Sequence, residues 1–175
     1  MNPFIYSVYC FFYALPTHTT VTLLALLYIG WPWLKQSLRP RCKTWKWICF
    51  SGLLLWLFVV FYITWFARET GEAGFYLMPF QQMRDLLNGA NIELLRSAWM
   101  NVLLFIPGGL FFNEVLPQKC PTWLRGVLVI SLLAGISAGI EAGQWYWQIG
   151  RAETDDVLCN AAGAMLGWFI SLHRW

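Results

Sequence analysis

The sequence predicts an all-α polytopic membrane protein: a helical bundle of about five transmembrane spans, with a kinked third helix and an interfacial loop and short helix on the outer side. Three observations predict it. Of the residues, 58% are hydrophobic and only 12% charged, against about 25% charged in an average soluble domain. Several apolar runs reach the ~20 residues that a bilayer crossing needs. Between them the basic residues gather in loops that alternate onto one side, the signature of a cytoplasmic face. A net charge of +3 distributed in this way does not suggest a nucleic-acid partner.

The elements follow in order. Residues 2–34 are nearly all apolar, broken at Pro16-Thr17-His18. Residues 17–34 make the better crossing, and 3–15 are an interfacial helix, a half-span or part of a long tilted helix. No Lys or Arg precedes this run, so a cleaved signal peptide is not expected. The loop 35–46 carries Lys35, Arg39, Arg41, Lys43 and Lys46 with no acid and belongs on the cytoplasmic side. A second crossing covers about residues 47–66.

From Arg68 to Ala98 the charges are mixed. Within that segment GFYLMPF dips into the membrane interface, and FQQMRDLLNG reads as a short amphipathic helix stopped by Asn88-Gly89. Asn91 can cap a third crossing, about residues 99–116, which Pro107-Gly108-Gly109 should kink. Lys119 and Arg125 mark a cytoplasmic return. The fourth crossing spans about 124–146, a turn 147–154 and the fifth crossing 155–172, with His173 and Arg174 beyond it. The alternation puts the N-terminus outside and the C-terminus in the cytoplasm. Eight of the nine acids then lie outside, Glu114 being the exception.

The chemistry concentrates in Ser137–Gly167, at the ends of two apolar segments and the turn between them. Ionisable groups at such a place are costly unless paired or wetted, which makes them functional candidates. Ser137, Glu141, Gln144 and Gln148 recur on one helical face, with Gly135, Gly139 and Gly143 as a small-residue packing stripe roughly opposite. On the fifth helix Asp156, Asn160, Gly163 and Gly167 share a face. Glu141 and Asn160 lie roughly 6–9 Å inside the outer ends of their helices, so they are expected to face each other, with Asn101 and Phe105 in the same slab.

YLMPF at 76–80, NVLLFIPGG at 101–109, IEAGQ at 140–144 and GRAETDDVLCNAAGAMLG at 150–167 resemble, in order, the signatures of the VanZ-like membrane protein family. The similar patterns are an N-L-x-P-F type loop, N-x-x-x-F-x-P-x-G, E-x-x-Q, and Arg followed by D-x-x-x-N-x-x-G. Tyr76 stands where the first has Asn. The resemblance covers about residues 68–167. It implies a four-span VanZ-like domain over 46–175, preceded by an N-terminal segment, one span and a basic loop over 1–45. The namesake of the family is linked to lowered sensitivity to the glycopeptide teicoplanin, and relatives occur near envelope polysaccharide functions. No settled reaction comes with the fold, so function has to be argued from the site.

Glu141 and Asp156 are the candidates for catalysis. Arg151, Asn160, Gln144, Asn101, Phe80 and Arg68 are the candidates for binding. Pro79, Phe105, Pro107, Gly108, Gly163 and Gly167 complete the motifs as structural residues. Glu141 suits general acid–base work, Arg151 bidentate capture of an anionic headgroup, and Asp156 with Asn160 the orientation of a water or ion. Blander roles compete. Asp155 and Asp156 sit where acids cap a helix, Arg151 can pair with Glu153 or Asp155, and Asn101 and Asn160 can glue helices. His18 and His173 are too far apart to share a metal or haem, and no metal site is assigned. The five cysteines form no C-x-x-C pair and are expected as free thiols.

Three functions remain. One is an enzyme acting at the outer leaflet on a lipid-linked sugar, phospholipid or lipoglycopeptide. Another is a protein binding such an amphiphile without turnover. The third is a structural subunit of an envelope polysaccharide assembly. Cofactor and oligomeric state stay open.

Overall fold

The computed structural model describes residues 29–38, 42–66, 74–76, 78–80, 84 and 92–172. Residues 29–38 form helix α1. There follow α2 (Cys42–Phe66), strand β1 (Gly74–Tyr76), α3 (Ile92–Val115), α4 (Thr122–Tyr146), strand β2 (Arg151–Glu153) and α5 (Thr154–Leu172). Residues 1–28, which hold most of the N-terminal apolar segment and of the expected 17–34 crossing, together with Arg68 and most of the expected amphipathic helix, lie outside the described residues.

Among the described residues, length and composition suit three helices to cross a membrane, through Thr44–Trp65, Leu95–Val115 and Thr122–Tyr146. Helix α5 has 19 residues, a rise of roughly 28 Å. Two aspartates in its first turn dilute its apolar character. Burial offsets that, since α5 packs between α3 and α4.

Glycine decides how closely the helices approach. A Cβ on Gly163 would lie 2.1 Å from the Val102 carbonyl oxygen, one on Gly167 2.1 Å from that of Ile106, and one on Gly109 2.2 Å from that of Ala164. No side chain fits at those distances, so the α3 and α5 backbones touch directly, as small-xxx-small packing allows. Both partner series rise together along the chain, so α3 and α5 run parallel. Helix α4 is antiparallel to α5: Asn160 bonds Ser137, while Gly126 lies under Trp168.

Pro107 sits inside α3, where it removes one backbone donor. Beside it the Trp56 ring of α2 covers Gly108, where an added Cβ would meet the ring at 2.6 Å. The Trp56 indole donates to the Leu104 carbonyl at 2.7 Å and stacks edge-on against Phe105 with centroids 5.4 Å apart. Phe105, Val60, Val129, Leu133, Ile140 and Ala164 are the centre of the main core.

Three expectations are corrected. Among the described residues the small-residue stripe on α4 is not an interface over most of its length: Gly135 and Gly139 have no described atom within 4 Å of an added Cβ, whereas Gly143 lies against Trp65 and Trp147. Helix α4 turns its buried face, with Ser137, Ile140, Glu141 and Gln144, inward, and two glycines face away simply because they lie opposite. Gln148 does not extend the polar face, because α4 ends at Tyr146. Gln148 takes φ 56°, and the Gln148 N–H donates to Trp145 O and the Ile149 N–H to Gln144 O, the Schellman closure of a helix.

Nor is 35–46 a free basic loop. Lys35 belongs to α1 and is 6% exposed. Its ammonium pairs with Glu114 of α3 and donates to the Ser171 carbonyl at 2.8 Å, in the last turn of α5. Trp45 of α2 donates to the other Glu114 oxygen at 3.0 Å. One buried ion pair thus joins four helices at the end of the bundle opposite the strands. A buried charge needs such a partner, which explains why the one acid on the basic end is there.

Candidate functional site

The strands close the other end. Gly74, Phe75 and Tyr76 pair in parallel with Arg151, Ala152 and Glu153. Two loops whose paired residues stand 77 apart in the chain (Gly74 and Arg151) are therefore one element. A second tie reinforces them: the Phe80 N–H donates to Asp155 Oδ1 at 2.5 Å. Phe80 itself adopts φ 64°, a backbone that a bulky residue takes only when its surroundings hold it. The Arg84 N–H then bonds the Phe80 carbonyl at 3.0 Å. The phenyl ring is exposed, so Phe80 contributes its backbone to this arrangement.

Beneath the strands the buried face of α4 meets α5. Glu141 is 7% exposed, and its Oε2 accepts the Glu153 N–H of β2 at 3.1 Å. One turn deeper, the Asn160 amide donates to Ser137 Oγ at 2.7 Å. Asp156 lies one turn above Asn160 on α5, as Glu141 does above Ser137 on α4. The antiparallel register carries the two carboxylates toward the same level, roughly 6 Å nearer the strands than the Asn160–Ser137 bond. Gln144, 1% exposed, reaches sideways to the Thr64 carbonyl of α2 at 2.9 Å. It ties α2 to α4.

Glu141, Asp155, Asp156 and Asn160 are all buried, and acids in the first turn of α5 also complement the helix dipole. Arg151 enters β2 through its backbone, opposite Gly74. Asn101 lies on α3, one residue before the carbonyl that Gly163 touches. The motifs read separately along the chain thus meet at one end: Pro79-Phe80 and Arg151–Asp156 through strands and a side-chain tie, Glu141 through β2, Asn160 through Ser137. Pro107, Gly108, Gly163 and Gly167 lie deeper, at helix contacts.

A family model described as VanZ/LLP1 matches residues 47–174. The chain belongs to the VanZ/LLP1 family. No curated protein and no solved structure matches it. The VanZ match begins inside α2, so α1 and the Lys35 half of the buried ion pair precede the matched region.

Sequence reasoning missed three features of this VanZ-like domain. The β1–β2 pairing left only a faint signal, the aromatic pair Phe75-Tyr76. Asp155 ties two loops rather than merely capping α5. The Lys35–Glu114 pair was signalled by a single acid among basic residues. Among the described cysteines, Cys49, Cys120 and Cys159 are free thiols.

Proposed function

We propose that the strand end of this VanZ-like bundle receives the headgroup of an amphiphilic cell-envelope molecule, with the attached chains lying against the helices. The ligand class is a lipid-linked sugar, a phospholipid or a lipoglycopeptide. In this reading the strand end faces outward from a bacterial inner membrane. Resistance of the teicoplanin type follows when the captured molecule is the glycopeptide or its lipid-borne target. The observation that carries the proposal is Glu141. It is a carboxylate buried within a helix long and apolar enough to span, beyond the reach of any capping role, and under a lid of two strands. Retaining an ionisable group there costs several kcal/mol unless it is used or paired.

Arg151 supplies the cation for an anionic headgroup. Glu141 holds or transfers a proton, and Asp156 with Asn160 orients a water or a hydroxyl. Binding requires only the first of these steps; conversion of the ligand adds the second.

One observation favours a structural reading beside this one. Glu141 and Asp155 each accept a backbone N–H from the loop layer, which is what carboxylates do when they hold loops onto a bundle. Glu141→Gln separates the two, because a glutamine oxygen still accepts that N–H but cannot titrate. Teicoplanin susceptibility and detergent sensitivity of cells carrying wild type, Glu141→Gln or Arg151→Ala are compared, with membrane levels and melting temperature measured for each. The proposal expects both variants to fold and lose function. Full complementation by Glu141→Gln would leave the structural role as the better account.

A further inference from the structure

Below the carboxylates two amides each have an end without a partner among the described residues. Asn160 is 7% exposed, and with its Nδ2 bonded to Ser137 its Oδ1 is buried without a hydrogen-bond partner among the described residues. As placed, the amide spends its donor on the Ser137 hydroxyl and keeps its acceptor unpartnered among the described residues. Asn101 Nδ2 is likewise buried and unpartnered among the described residues. Leaving such a group dry costs about 1–3 kcal/mol, and in hydrocarbon the alternatives are fewer.

The register puts the two asparagines at one level. Gly163 touches Val102 and Phe105. Asn160 is three residues nearer the strands than Gly163, and Asn101 one residue nearer than Val102. They therefore lie within about one helical turn of each other. They also share a direction. Asn101 is four residues from Phe105, whose core cluster includes Leu133 and Ile140 of α4. Ser137, the partner of Asn160, sits between those two on the same buried face.

A free donor beside a free acceptor selects its ligand by exclusion. Phosphate and ester oxygens only accept, and an ammonium only donates. A hydroxyl or a secondary amide does both. We infer that the Asn101–Asn160 pair holds a neutral hydroxyl or secondary amide at the junction of headgroup and chain. This selects lipids carrying such a group against fully esterified diacyl lipids. The inference rests on the headgroup reading above and adds the second, deeper contact.

Three phosphocholine probes test it: lysophosphatidylcholine with its free 2-hydroxyl, the 2-acetamido analogue, and the 2-O-methyl ether that only accepts. Each is titrated into delipidated full-length protein in detergent, and bound lipid is counted by native mass spectrometry. Wild type should bind the hydroxyl probe, the acetamido probe or both about tenfold more tightly than the ether. Whichever is preferred identifies the group. Asn160→Leu and Asn101→Leu should each erase that preference. Asn101→Leu, which removes an amide nitrogen unpartnered among the described residues, should melt at or above wild type; Asn160→Leu also breaks the bond to Ser137, so Ser137→Ala, which breaks that bond alone, is its comparison.

Equal binding of all three probes to wild type would overturn the inference and mean that the amides bind only water. A lower melting temperature for both leucine variants with the preference intact would also overturn it, making the asparagines glue between helices. The headgroup reading fails separately: it falls if Glu141→Gln and Arg151→Ala bind every probe as wild type does.

Discussion

Replacing Gly163 by alanine tests the closest contact in the bundle. The added Cβ would lie 2.1 Å from the Val102 carbonyl oxygen and 3.1 Å from Phe105 Cβ. Ordinary carbon–oxygen contacts begin near 3.3 Å, so α5 must withdraw from α3 by roughly 1 Å. The obstacle is backbone, and no rotamer change relieves it. Overpacking of this kind costs about 1–3 kcal/mol, and the better helix propensity of alanine returns up to about 1 kcal/mol. A net loss of about 1–2 kcal/mol corresponds to about 2–8 °C for a chain of this size. Gly139→Ala is the matched control, since no described atom lies within 4 Å of its added Cβ; it should melt at or slightly above wild type. Purified variants in one detergent, followed by tryptophan fluorescence on heating, give the comparison. The packing argument fails if Gly163→Ala melts as high as wild type, or if Gly139→Ala falls as far as Gly163→Ala.

Lys35→Met strands the buried Glu114 carboxylate and should destabilise by about 3–5 kcal/mol, with much of the loss recovered when Glu114→Leu is added; melting curves of the single and double variants decide it. Asp155→Ala removes the acceptor of the Phe80 N–H, so amide exchange in residues 74–80 should quicken while the helices stay protected; unchanged exchange there would mean that the strand pairing suffices alone. Gln148→Gly relieves a side chain at φ 56° and should raise stability by about 1 kcal/mol, read in the same melt. For orientation, a cysteine placed at exposed Gln148 in a cysteine-free background should react with an impermeant thiol reagent on intact cells, and one at exposed Lys119 should not. The reverse labelling would invert the topology.

Much of this protein was legible in one dimension because the membrane imposes one-dimensional rules. A span needs a length of apolar chain, and α2, α3 and α4 announce themselves as such runs. The family motifs are local strings, so the sequence alone located Glu141, Arg151, Asp156 and Asn160 and placed them toward one end. Helical period also placed Ser137 and Glu141 on one face, because i and i+4 repeat with the backbone itself. What periodicity cannot say is which face meets a neighbour. Gly135 and Gly139 carry the same small-residue pattern as Gly163 and Gly167, yet among the described residues only the latter pair touches another helix. That choice depends on where α3 lies relative to α4 and α5, a property of the assembled bundle. The same limit hid the β1–β2 pairing and the Lys35–Glu114 bond, whose partners are separated by 75 or more residues. Each such contact has an energy only once the helices have brought its two ends together, so it leaves almost no trace in the local sequence at either end.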